Sequence, residues 1–248
     1  MQEIKIPHHG RRVDGCVYRP EKEGRCPAVI ISHGYNSHHS DQAPIAEYLS
    51  ANGIGAVCYT FCGGSLRDKS GFPTTDMTLF TEKQDLLAVL DEVRYLDWVD
   101  TEQIYLFGSS QGGMVSALAA EERKSQLRGM ILQYPAFCIA DDWRKKFPRI
   151  EDIPEEIVLW DMTLGRAFAE TVHDFVPEEQ TGGFDKPVLI IHGRDDDVVP
   201  ISYSEQAAQR YPDARLEVFP NEGHGFTPEG DRRTAEMVAA FVWEQGDR

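Results

Sequence analysis

Apolar and polar positions alternate along the chain in two periods, and the switches between them mark its elements. Residues 3–6 and 13–18 read as short strands joined through His8-His9-Gly10, an N-terminal hairpin. Residues 28–32, Ala-Val-Ile-Ile-Ser, are continuously apolar, as a strand buried on both faces requires. The run ends in His33-Gly34-Tyr35-Asn36, where the glycine lets the backbone turn over the sheet edge. Ile45, Ala46 and Leu49 predict a helix over 41–52, stopped by Gly53. A strand over 54–61 and a polar, glycine-rich loop over 62–71 follow. Leu86, Val89, Leu90, Val93 and Leu96 form one stripe at helical spacing, so a helix is expected over 79–99.

The chain then reaches its most informative stretch. Ile104-Tyr-Leu-Phe107 suits a buried strand, and residues 113–120 are small and apolar, suiting a helix packed close to a sheet. Between them lies G-x-S-x-G, as Gly108-Ser109-Ser110-Gln111-Gly112. A serine on so tight a strand-to-helix turn points its Oγ out of the sheet. Glycines two residues either side remove the Cβ atoms that would clash as strand and helix approach. Another strand at 130–134 ends at Pro135.

From 136 to 183 the strand–helix alternation stops. This stretch is rich in charge and in aromatics such as Phe137, Trp143, Trp160 and Phe168, with too few apolar residues for a separate core. It reads as a cap inserted over the sheet edge. Alternation resumes with a strand at 187–192, a loop over 193–200, a helix at 201–211, a strand at 215–220, the loop Asn221-Glu-Gly-His224-Gly-Phe226 and a closing helix at 232–245. The order implies an α/β fold, a mostly parallel central sheet flanked by helices. Residues 1–135 and 184–248 form one core domain, with 136–183 as its small cap.

Charge narrows the partners. Against 25 Lys and Arg stand 41 Asp and Glu, a net charge of −16. So acidic a chain is not expected to bind nucleic acid or an anionic membrane surface, and it should prefer neutral or cationic substrates. No run approaches a membrane span. Five cysteines without a C-x-x-C pair show no zinc or redox motif, and no phosphate loop or cofactor fingerprint is visible, so no metal and no cofactor are expected. The first residues, Met-Gln-Glu-Ile-Lys-Ile, lack an apolar signal region, so a cytoplasmic location with reduced thiols is expected.

In parallel sheets the loops leaving the carboxyl ends of the strands gather the active site. Ser110, Tyr35, Asp195 to Asp197 and His224 all fall there. A serine hydroxyl needs a base, and the base needs an acid to orient it. His33 and His192, at strand ends before glycine, read as supports for turns. His224, in a glycine-flanked loop after the last strand, is the base that can reach Ser110. Asp195, Asp196 and Asp197 compete for the acid. Asp196 is the one the loop can turn inward, and Asp141 or Asp142 is the alternative. The backbone N–H groups of Gln111 and Tyr35 are the expected oxyanion donors.

The order Ser110, Asp196, His224, with H-G-Y, G-x-S-x-G, H-G-x-x-D-x-V-V-P and G-H-G, resembles the α/β-hydrolase fold over nearly the whole chain. The segment from Ile153-Pro-Glu-Glu to Trp160-Asp161, followed by Lys186-Pro187-Val188, is similar to bacterial cinnamoyl (feruloyl) esterases. The resemblance implies a serine carboxylesterase that hydrolyses feruloyl, coumaroyl or caffeoyl esters, a small-molecule ester as its partner, and Trp160 and Asp142 as substrate-binding residues. Homodimers occur among similar esterases. The sequence departs from them at Cys62-Gly63-Gly64-Ser65, where G-H-G-x-S is common. A general short-acyl carboxylesterase, an acyl-peptide hydrolase with the same triad and a non-catalytic ligand binder are the other readings. The last is disfavoured because all three triad positions are filled.

Overall fold

The continuous apolar runs become the middle of one eight-stranded sheet. The computed structural model describes residues 1–246. In chain order the sheet strands are β1 (Gln2–His8), β2 (Arg11–Tyr18), β3 (Cys26–Ser32), β4 (Gly55–Tyr59), β5 (Val99–Ser109), β6 (Gly129–Gln133), β9 (Val188–Gly193) and β10 (Ala214–Phe219). Between β6 and β9 lies a separate two-stranded hairpin, β7 (Glu156–Leu159) and β8 (Met162–Gly165). The sheet runs β1-β2-β4-β3-β5-β6-β9-β10. β1 and β2 pair antiparallel at one edge, and every pairing from β4 to β10 is parallel.

Side-chain alternation divides the core in two. Ile30, Leu106, Leu132 and Ile190 face one side of the sheet, and Ile31, Phe107, Ile131 and Ile191 face the other. The first side is covered by α2 (Leu79–Val93), α3 (Gln111–Glu122) and α7 (Ile201–Arg210), and the second by α1 (Ala43–Ala51) and α8 (Pro228–Gly246). Fully burying each such apolar side chain is worth about 1.5–3 kcal/mol, so these two layers dominate the stability.

Three differences from the sequence expectations have physical causes. The helix expected over 79–99 stops at Val93, because residues 93–99 close successive tight turns: Leu96 N–H bonds Val93 O, and Val99 N–H bonds Leu96 O. Leu96 still packs on the core from that turn, which is why its spacing mimicked the helix. Helix α8 begins at Pro228 rather than 232, since its first turn is polar and carries no apolar period. Residues 136–183 are more regular than their pattern suggested. They form α4 (Ile139–Lys146), the hairpin, α5 (Arg166–His173) and α6 (Pro177–Gln180). Their elements are short, and Phe137, Trp143, Leu164, Phe168 and Val172 join the core cluster of the sheet instead of making their own. Among the described residues, no helix is long and apolar enough to cross a membrane.

Candidate active site

Strand β5 delivers Ser110 onto a strained turn. Ser110 has φ 53° and ψ −120°, and Gln111 opens α3 directly after it. The turn is pinned from both sides: Ser110 N–H donates to Gln133 O at 2.9 Å, and Ser110 O accepts Gly113 and Ala136 N–H at 2.9 Å each. The flanking glycines are required by close approach. A Cβ on Gly108 would run into the Gly112 carbonyl, and one on Gly112 into the His33 carbonyl. Gly34 brings the turn after β3 equally close, since a Cβ there would sit 3.2 Å from Ser110 Cβ.

The loops after β9 and β10 bring the partners. Ser110 Oγ lies 2.9 Å from His224 Nε2, and His224 Nδ1 lies 2.9 Å from Asp196 Oδ2. With the carboxylate accepting the Nδ1–H, the imidazole presents a bare Nε2 to the serine hydroxyl. Asp196 Oδ1 accepts Val198 and Val199 N–H at 2.9 and 2.7 Å, which aims the other oxygen at the ring. Asp195 and Asp197 are exposed. Burial opposes the charge on Asp196, but bonds from His192, His224 and Val199 outweigh it and hold the carboxyl well below the usual range. The Tyr134 ring packs 4.7 Å from the His224 ring.

Two histidines serve the loops. His33 is fully buried, donates Nδ1–H to Gly34 O at 2.7 Å and accepts Phe61 N–H at 3.1 Å. Burial pushes it down to about 4, so it stays neutral. His192 donates Nε2–H to Val199 O at 3.0 Å, accepts from Ser204 Oγ at 2.7 Å, and lies 3.3 Å from Asp196 Oδ2. That last contact, which backs the acid itself, was not foreseen.

The N–H groups of Tyr35 and Gln111 donate to no protein acceptor among the described residues and flank the Ser110 turn. The Tyr35 side chain reaches the β7–β8 hairpin, donating to Leu159 O at 3.0 Å. Asn36 Nδ2 donates to Trp160 O at 3.2 Å, and Asn36 Oδ1 accepts Leu66 N–H at 3.0 Å. Beneath the turn, Gln111 Nε2 donates to the buried Glu82 Oε2 at 2.8 Å.

Ser110, Tyr35 and Gln111 open into a cleft of about 430 Å³. Its walls are mainly apolar, with Ile139, Trp143, Leu159, Trp160 and Phe168 from the 136–183 stretch. Trp160 sits at the hairpin tip with φ 44°, is 59 % exposed, and packs edge-on to Tyr35 at 5.7 Å. Asp142 also lines the cleft, 3.7 Å from Lys145. Asp141 faces Tyr203 and Arg144 rather than His224. The Cys62-Gly-Gly-Ser65 segment, buried against α2, does not line the cleft. Among the described residues no group of His, Cys, Asp or Glu could hold a metal ion, and all five cysteines are free and buried.

Comparison with known proteins places this arrangement. The model of the prolyl oligopeptidase family matches residues 80–247, and that of X-Pro dipeptidyl-peptidase (S15 family) matches residues 9–149. The chain belongs to the prolyl oligopeptidase family. It is a serine hydrolase with the α/β-hydrolase fold. Est1E from Butyrivibrio proteoclasticus, in a structure with ferulic acid bound, is 28% identical with a TM-score of 0.90, covering 99% of this chain and 100% of its own. Monoacylglycerol lipase ABHD6 of Rattus norvegicus is 22% identical, over 97% of this chain and 82% of its own. Human mitochondrial palmitoyl-protein thioesterase ABHD10 is 26% identical, over 76% of this chain and 63% of its own. By their names, the last two act on monoacylglycerols and on palmitoyl-proteins.

Proposed function

We propose that this family member is a carboxylesterase that cleaves hydroxycinnamate-type esters through an acyl-enzyme on Ser110. The observation that carries the reading is the unbroken relay from Ser110 Oγ through His224 to Asp196, each step 2.9 Å, at the mouth of an aromatic cleft. His224 Nε2 takes the Ser110 proton as Oγ attacks the ester carbonyl. The carbonyl oxygen, now negative, is received by the Gln111 and Tyr35 N–H groups, and Asp196 stabilises the imidazolium. His224 returns the proton to the leaving alcohol as the C–O bond breaks. Water then attacks the acyl-enzyme, giving its proton to His224, and the acid leaves as Ser110 recovers its hydrogen.

The choice of acyl group is supported by the likeness to Est1E, whose structure holds ferulic acid, and by the aromatic side chains Tyr35, Trp143, Trp160 and Phe168 that line the cleft. Trp160 is read as bordering the acyl ring and Asp142 as a polar group in the same cleft, both on the 136–183 stretch read as a cap. Hydrolysis of methyl ferulate and of p-nitrophenyl butyrate by wild type and Ser110→Ala tests this. Turnover of ferulate that Ser110→Ala abolishes is expected. Cleavage of the butyrate alone overturns the hydroxycinnamate assignment and leaves the triad. Cleavage of X-Pro peptides with neither ester touched overturns the esterase reading.

A further inference from the structure

We propose that Glu82 is a positioning residue for this reaction, a buried acid that holds Gln111, and with it the oxyanion donor beside Ser110, and that serves catalysis best while uncharged because its charge opposes that of the oxyanion. The inference rests on the reading of Gln111 N–H as an oxyanion donor. Glu82 lies on the inner face of α2 and is 1% exposed. Its Oε2 accepts the Gln111 side-chain N–H at 2.8 Å, and its Oε1 lies against Gly64, where an added Cβ would come within 2.8 Å. No lysine, arginine or histidine pairs with it among the described residues. Arg11, from β2, pairs with the neighbouring Asp85 instead, at 3.4 Å.

A dry carboxyl does not need a charge to accept an amide hydrogen bond, and a charge there has a cost. A negative group one side chain from the oxyanion position opposes the charge that develops on the substrate oxygen, and low dielectric strengthens the opposition. Burial favours the neutral form and pushes Glu82 up to about 8, against the bond from Gln111. The groups around it reinforce this. Asp85, on the same helix, is also raised by burial while it accepts Cys62 N–H at 2.9 Å. Tyr35 from the turn after β3 and Tyr59 from β4 are held protonated by burial, so both stay neutral beside it and neither adds a negative charge of its own. Losing the Glu82 proton to solvent therefore weakens transition-state stabilisation without touching Ser110, His224 or Asp196.

The test is the pH dependence of kcat and KM on p-nitrophenyl butyrate for wild type, Glu82→Gln and Glu82→Leu. Wild type is expected to show a bell. Its alkaline limb, in kcat, is centred near the raised Glu82 value, with a loss of roughly tenfold. Glu82→Gln keeps an acceptor for Gln111 and cannot ionise, so it keeps the acid limb and loses the alkaline one. Glu82→Leu fills the space without accepting, so at neutral pH its kcat falls about tenfold below that of Glu82→Gln with KM within about twofold. An alkaline limb shared by wild type and Glu82→Gln overturns the proposal. So does a wild type with no alkaline limb, a result that needs no variant to fold. No turnover together with no labelling of Ser110 by a fluorophosphonate overturns the esterase reading as well; turnover with labelling, but the wrong limb, overturns this inference alone.

Discussion

Ser110 occupies a backbone conformation that a side chain disfavours, with φ 53°, at a cost of order 1–3 kcal/mol. The strain persists because the bonds to Gln133, Gly113 and Ala136 and the close approach of Gly34 over-determine the turn. The acid is as firmly built: Asp196 receives His224, two backbone N–H groups and, at 3.3 Å, His192. Asp196→Asn keeps the shape but turns a donor or a weaker acceptor toward His224 Nδ1, favouring the wrong tautomer. It is expected to lower kcat by roughly 10³–10⁴ with KM little changed. A loss under about tenfold would remove Asp196 from the relay. The residues around Ser110 differ in how far the sequence disclosed them. Ser110, Asp196 and His224 stand after three strands in an order that permits a triad. Glu82 was missed, although it left a signal: it lies three residues after Leu79 and four before Leu86, on the apolar stripe of α2, where a carboxylate is out of place.

At the scale of elements, the turn after β3 is the joint of the site. Its Tyr35 N–H is an oxyanion donor in our reading, while its hydroxyl and the Asn36 carboxamide hold the tip of the β7–β8 hairpin. The wall of the cleft and the donor beside Ser110 are thus parts of one hydrogen-bonded unit. Tyr35→Phe removes the hydroxyl and leaves the backbone N–H in the chain. One such bond is worth about 1 kcal/mol, so kcat/KM for methyl ferulate should fall about fivefold, with p-nitrophenyl butyrate changed less than about twofold. Equal losses on the two esters would mean that the bond supports the fold, not the acyl wall. This joint was invisible in the sequence, because nothing local marks Leu159 and Met162 as acceptors for a residue more than 120 positions earlier. The hairpin escaped for a related reason. Its two-residue turn is Trp160-Asp161, both at positive φ, rather than the glycine or asparagine that usually signals such a turn. The long strands, by contrast, were legible because burial on both faces leaves an uninterrupted apolar run.

For the whole molecule, the parallel order from β4 to β10 sends β3, β5, β9 and β10 toward one rim, and that rim carries the turn after β3, the serine, the acid and the histidine. Each comes from a different βα loop, so no single segment of the chain holds the site. The net charge of −16 gives the molecule as a whole a negative field that disfavours anionic substrates. In the proposed reaction Ser110 carries the acyl group of a hydroxycinnamate ester during turnover. The most direct measurement is rapid acid quenching of the enzyme with methyl ferulate, followed by mass spectrometry of its peptides. A feruloyl group is expected on the peptide that contains Ser110, present in wild type and missing from Ser110→Ala, which also fails to release ferulate. A feruloyl group on any other residue, or release of ferulate by Ser110→Ala at the wild-type rate, would contradict it.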